Sequence, residues 1–250
     1  LSFSSNSSAN IVLLLDVANT LSYVLSGNYA ALTYDWRTGH SNSAANLNNV
    51  YHDTQNVWVN AVNTSMYGTL SNNSYFLSSG VNFNGARSND AVVIPHSDGL
   101  NTASKMTYIT WFNSANTEDN KYLVTKVNSA NNRGFTMYIQ DSTLRVAIGD
   151  STHDNVITLG TVNTNTWYQA AFTYEGINLR GYLNGEYVGI SSNTSNANTD
   201  TSGTMYLGST NGYRPNTFQG KIAVAEIYNK RLSNAEIQRA FTNYRRRFGI

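Results

Sequence analysis

Short segments in which apolar and polar residues alternate, each closed by a turn signal, govern what this chain can fold into. Phe135, Met137 and Ile139 alternate with Thr136, Tyr138 and Gln140. Leu144, Val146 and Ile148 alternate in the same way with Thr143, Arg145 and Ala147. A side-chain period of two places one set on one face of an extended strand, as a sheet buried on one side requires. Residues 106–112 (MTYITWF) are rich in β-formers on both faces, and 167–174 continue the pattern. Asn184-Gly185 stands between Gly181-Tyr182-Leu183 and Glu186-Tyr187-Val188. That pair tolerates positive φ at both central turn positions and predicts a tight hairpin. Further strands are expected over 11–15, 204–208 and 221–228, and no repeat of fixed period is present.

Composition agrees with strands joined by polar loops. Charged residues make up only 12% of the chain, about half the usual share. Asn, Ser and Thr replace them, and aromatic residues reach 12%, with 17 Tyr. Asn and Ser favour turns, whereas Thr and Tyr suit half-buried strands. One helix is predicted near the C-terminus. Ser233 with Glu236 forms a capping box, and Ile237, Ala240, Phe241 and Tyr244 make an apolar stripe at helical spacing. Arg245, Arg246 and Arg247 follow it. They read either as solvated cations at the negative end of the helix dipole or as a contact for an acidic partner surface.

The reading is therefore all-β: an antiparallel two-sheet jelly-roll sandwich with one short C-terminal helix. Residues 1–10 are a polar arm or linker, residues 11–250 a single domain, and 37–56 a loop insertion. A 250-residue chain of this kind buries roughly 75% of its unfolded surface and needs no staples, so the lack of cysteine says little about compartment. A formal net charge of +1 excludes electrostatic capture of nucleic acid by the domain as a whole. No apolar run approaches the ~18 residues that mark a membrane span, so no insertion into a bilayer by a helix is expected.

The order of several motifs is more specific than any one of them. Trp167 opens a strand that runs to Tyr174, and LRGYLNGEYV follows at 179–188. Met205-Tyr206-Leu207-Gly208 precedes Phe218-Gln219-Gly220-Lys221-Ile222, and Arg231-Leu232-Ser233 with Glu236-Ile237 opens the helix. Upstream stand Val81-Asn82-Phe83-Asn84-Gly85 and Ala91-Val92-Val93-Ile94-Pro95. Together these resemble the laminin-G-like domains of the concanavalin A-like lectin/glucanase superfamily, including their "LYVNG" hairpin and terminal "RALSxxEI" helix. The terminal helix and its basic tail resemble domains of phage and other viral structural proteins. That resemblance implies a non-catalytic structural or adhesion module at the surface of a virion, or another extracellular site. Its partners would be other virion or surface proteins, with homo-oligomers and glycans also implied. A glycan-binding lectin-like module is the alternative reading, and a glycoside hydrolase is a third.

Hydrolysis by related sandwiches uses a Glu-x-Asp-x-x-Glu cluster that sets two carboxylates about 5–5.5 Å apart. None of Glu118, Glu175, Glu186, Glu226 and Glu236 lies in such a cluster. Only carboxylates brought together from distant strands would supply a dyad. His40, His52, His96 and His153 lack metal-ligand spacing. Asp98, Asp150 and Asp154 are the weak candidates for a rim Ca2+, although Asp in such loops more often closes a local turn. Asn84 stands where the family often has Asp, which weakens the calcium expectation and leaves no cofactor required. For a ligand, the expected contacts are Trp36, Tyr213, Arg214, Asp150 and Asp154, in apparent loops beside the core. Trp58, Trp111 and Trp167 are expected in the core itself.

Overall fold

A computed structural model describes residues 11–16, 57–59, 67–71, 74–77, 79–85, 90–97, 100, 104–118, 120–128, 133–149, 154–192, 203–210 and 216–250. The first strands are β1 (Ile11–Asp16), β2 (Val57–Val59), β3 (Tyr67–Ser71), β4 (Tyr75–Leu77), β5 (Gly80–Asn84) and β6 (Ala91–Ile94). Then come β7 (Lys105–Ser114), β8 (Lys121–Asn128), β9 (Arg133–Gln140), β10 (Thr143–Gly149) and β11 (Asp154–Thr161). The series ends with β12 (Trp167–Glu175), β13 (Asn178–Leu183), β14 (Glu186–Ser192), β15 (Met205–Leu207) and β16 (Gln219–Tyr228). Helix α1 (Asn234–Arg245) and a 3₁₀ turn (Arg246–Phe248) follow.

The strands form two antiparallel sheets of eight strands each among the described residues. In the first, the order is β14-β13-β12-β7-β16-β5-β4, and β1 also pairs with β16. In the second it is β11-β10-β9-β8-β15-β6-β3-β2. The expected sandwich is thus present, and the alternation reads out as predicted. Phe135, Met137, Ile139, Leu144, Val146 and Ile148 are all buried, facing Tyr108 and Phe172 of the opposite sheet. Phe135 and Phe172 meet edge to face with ring centroids 5.4 Å apart. Asn184 and Gly185 adopt φ of 51° and 80°, the paired positive values the hairpin demands. Strand β15 is shorter than the expected 204–208.

Strand β7 is apolar on both faces because both are covered. Tyr108 and Phe112 point between the sheets. Trp111 points outward yet is fully buried, because α1 and the tail lie over it. Its ring stacks on Phe248 at 4.4 Å and on Phe241 at 5.6 Å. Ser233 caps α1, and its capping box with Glu236 is formed as expected. Thr107 secures the approach to the helix by donating to the Lys230 carbonyl at 2.8 Å and accepting from the Leu232 amide at 2.9 Å. Trp167 is half-buried against Phe248, and the side chain of Trp58 lies outside the described set. Among the described residues no helix is long and apolar enough to cross a membrane.

Candidate functional site

Helix α1 covers the first sheet's outer face around Trp111, and on the outer face of the second sheet the described side chains of β8, β9 and β10 are half-buried. Register builds this face row by row. Arg145 on β10 lies opposite Tyr138 on β9, and Tyr138 opposite Tyr122 on β8. On the far side of Arg145 stands Thr158 of β11, which is exposed. The Tyr122 and Tyr138 rings stack with centroids 5.4 Å apart and planes at 29°. Partial burial, and the charge Tyr138 would carry, push the Tyr122 hydroxyl above its ordinary value. The Tyr122 hydroxyl therefore stays a neutral donor across the physiological range. Arg145 Nη1 donates to Gln140 Oε1 at 2.9 Å, tying the guanidinium to the neighbouring strand. Arg145 Nε is buried without a hydrogen-bond partner.

Chemically this is a flat apolar platform rimmed by a guanidinium, an amide and hydroxyls. Such a set buries the C–H face of a planar or puckered ring while bonding its hydroxyls. None of its named residues, Tyr122, Tyr138, Gln140, Arg145 and Thr158, carries a carboxylate.

A pair of acids does meet elsewhere. Asp16 and Glu226 share the outer face of the first sheet, because Asp16 pairs with Val224 and Leu14 with Glu226. Both are only 2% exposed beneath α1. Tyr228 donates to Glu226 Oε2 at 2.7 Å, and Tyr244 to Asp16 Oδ2 at 3.4 Å. Arg247 Nη1 donates to Asp16 Oδ1 at 2.7 Å. Burial raises the Glu226 carboxyl to about 7, and the neighbouring Asp16 charge adds to that rise against the opposing Tyr228 bond. Both side chains are almost fully buried among the described residues. The pair is an anchor for the tail.

The family model of the concanavalin A-like lectin/glucanases superfamily, laminin-G type, matches residues 84–238. The chain belongs to that superfamily. No curated protein matches it in a sequence comparison. Among solved structures it is similar to the receptor binding domain of a botulinum neurotoxin C/D mosaic serotype, with TM-score 0.66 and 12% identity over 95% of this chain and 51% of that one. The binding domain of serotype D gives 0.66 and 13%, over 96% and 53%. A type C neurotoxin, whose cell entry depends on interaction with two ganglioside molecules, gives 0.66 and 11%, over 96% and 52%. The chain spans about half the length of these structures, and the likeness is one of fold.

Within this superfamily member, the residues expected from sequence to bind ligand fall mostly beyond the described set. Trp36, Asp98, Asp150, Tyr213 and Arg214 lie outside it. Asp154 is the first residue of β11, opposite Gly149, and its side chain is not described. Among the described residues no three His, Cys, Asp or Glu side chains gather to hold a metal. Thr217 bridges in parallel to Tyr122. Arg247 corrects one expectation, because it spans neither solvent nor a partner but pairs with Asp16 of the same chain. Arg245 likewise turns back, donating from Nε to the Ile250 carbonyl at 2.9 Å.

Sequence reasoning missed Tyr122, Tyr138, Arg145 and Gln140 as a group. The available signal was the polar half of the alternation at 136–140 and 143–147. Two members of that half, Tyr138 and Arg145, are large and planar-headed.

Proposed function

We propose that this chain is a non-catalytic adhesion module that binds a saccharide on the outer face of its second sheet. The observation that carries this reading is the Tyr122–Tyr138 stack beside the Arg145–Gln140 pair. The receptor-binding character of the neurotoxin domains with the same fold supports it, and the burial of the Asp16–Glu226 pair argues against catalysis. The setting we assign is the surface of a virion or another extracellular assembly, in line with the resemblance of the C-terminal helix and tail to viral structural modules.

The test is a glycan array probed with the full chain and with Tyr138→Ala. Removal of one stacking ring is expected to weaken saccharide binding about tenfold, the scale of one aromatic contact. Failure to bind any glycan, or binding indifferent to Tyr138→Ala and Arg145→Ala, refutes the assignment. Release of reducing ends from a polysaccharide would refute the non-catalytic part separately.

A further inference from the structure

Strand register lays out the charges around the Tyr122–Tyr138 stack, and they do not balance. The row that holds the stack continues through Arg145 to Thr158. On one side of it lie Gln140, Thr143 and Thr161. On the other lie Thr125, Thr136, Ala147 and Val156. Arg145 is the one charged residue in these three rows. It is half-buried and forms no ion pair among the described residues. Gln140 Oε1, a neutral acceptor, takes an N–H of Nη1 at 2.9 Å, and Nε is buried with no acceptor.

A guanidinium carries five N–H donors in a planar fork and stays charged at every physiological pH. Half-buried, Arg145 has given up part of its hydration without gaining a counter-ion, which costs free energy until an anion arrives. Hydrogen bonds to an ionised partner are roughly twice as strong as neutral ones, and a carboxylate matches the fork in plane and spacing. We infer that the ligand of this face is an acidic saccharide, its carboxylate bound by Arg145 while its ring lies on the tyrosine stack. The inference rests on the saccharide-binding reading of the face and adds the ligand's charge to it. Neighbouring strands lie about 4.8 Å apart, so Arg145 stands one strand from Tyr138. That separation suits a carboxyl carried on the stacked sugar itself, not one several sugars away. Ala147 and the exposed Val156, paired in the adjoining row, extend the apolar floor beside the cation. A polyanion such as nucleic acid needs several cations along its path, and this face supplies one.

A glycan array printed with carboxylated saccharides, each beside its neutral carboxyl-reduced form, tests the charge without altering the protein. The full chain is expected to bind the acid member of a pair at least about tenfold more tightly, the scale of one charge-assisted hydrogen bond. Salt narrows that gap, because the screening length falls from ~10 Å at 0.1 M to ~3 Å at 1 M. In Arg145→Gln the two members are expected to bind alike, with circular dichroism as in the wild type. Tyr138→Ala is expected to weaken both by the same factor. Equal binding of the paired forms by the wild type overturns the inference and leaves the saccharide site standing. A preference for the acid form that survives Arg145→Gln overturns it too, since the charge would then be read elsewhere. Binding confined to sulfated saccharides on the same array overturns the choice of a carboxylate. A blank array overturns the inference together with the reading on which it rests.

Discussion

Replacing Glu226 by Gln isolates the energetic consequence of burying a carboxyl beneath the C-terminal helix. The group is 2% exposed, and its carboxyl rises from 4.5 to about 7, chiefly through desolvation. The folded chain therefore holds this proton more tightly than the unfolded chain does. Its contribution to stability is complete below pH 4.5, declines as pH rises through the interval, and is lost above about pH 7. At ~1.36 kcal/mol per pH unit, the interval corresponds to about 3 kcal/mol. Gln is nearly isosteric, stays neutral, and keeps an oxygen to accept from the Tyr228 hydroxyl. Urea unfolding at intervals from pH 4 to pH 8 reads the effect as the difference between the two proteins. Glu226→Gln is expected to match the wild type near pH 4 and to exceed it by about 3 kcal/mol at pH 8. Two stability curves that run parallel over this range would refute the reasoning, because the charged form of Glu226 would then carry no burial penalty.

Two further perturbations probe the frame. Gly220 adopts φ of 141°, and a Cβ there would collide with the Asn113 carbonyl oxygen, so Gly220→Ala is expected to cost at least about 2 kcal/mol in a thermal melt. Gly176→Ala, at positive φ with open space around it, should lose only the backbone strain, about 1 kcal/mol; equal losses at both sites would contradict the packing account. Arg247→Ala removes the cationic partner of the buried Asp16 carboxylate and should lower stability by about 3 kcal/mol. A loss below about 0.5 kcal/mol, the range of an ordinary surface substitution, would show that the tail pairing adds nothing.

Local chemistry made much of the fold legible. The Asn184-Gly185 hairpin, the two alternating strands at 133–149 and the Ser233–Glu236 cap depend on residues within a few positions of each other, so the sequence states them outright. What depended on distant residues was not legible. Arg247 finds Asp16 across 231 positions, and nothing near either residue signals it. The outward burial of Trp111 follows from a helix more than a hundred residues downstream. Tyr122 was hidden for a different reason. The register of β8 against β9 shifts between Tyr122 and Val124, and a bulge interrupts the period of two on which strand faces are read. The partner ring, Tyr138, sits in perfect alternation, yet a single tyrosine on a polar face is ordinary. The platform exists only once both strands are laid side by side.

The packing of α1 and the tail over Trp111, beside the half-buried outer face of β8, β9 and β10, divides the molecule into two regimes of tolerance to change. Substitutions around Trp111, Phe241 and Phe248 disturb a second packed core and would be purged for their effect on folding. Those at Tyr122, Tyr138, Gln140, Arg145 and Thr158 sit on strands whose inward side chains already secure the sheet. Descendants of this sequence can therefore vary the side chains of that face while the scaffold beneath it stays constant, and a designer can introduce new ones there for the same reason.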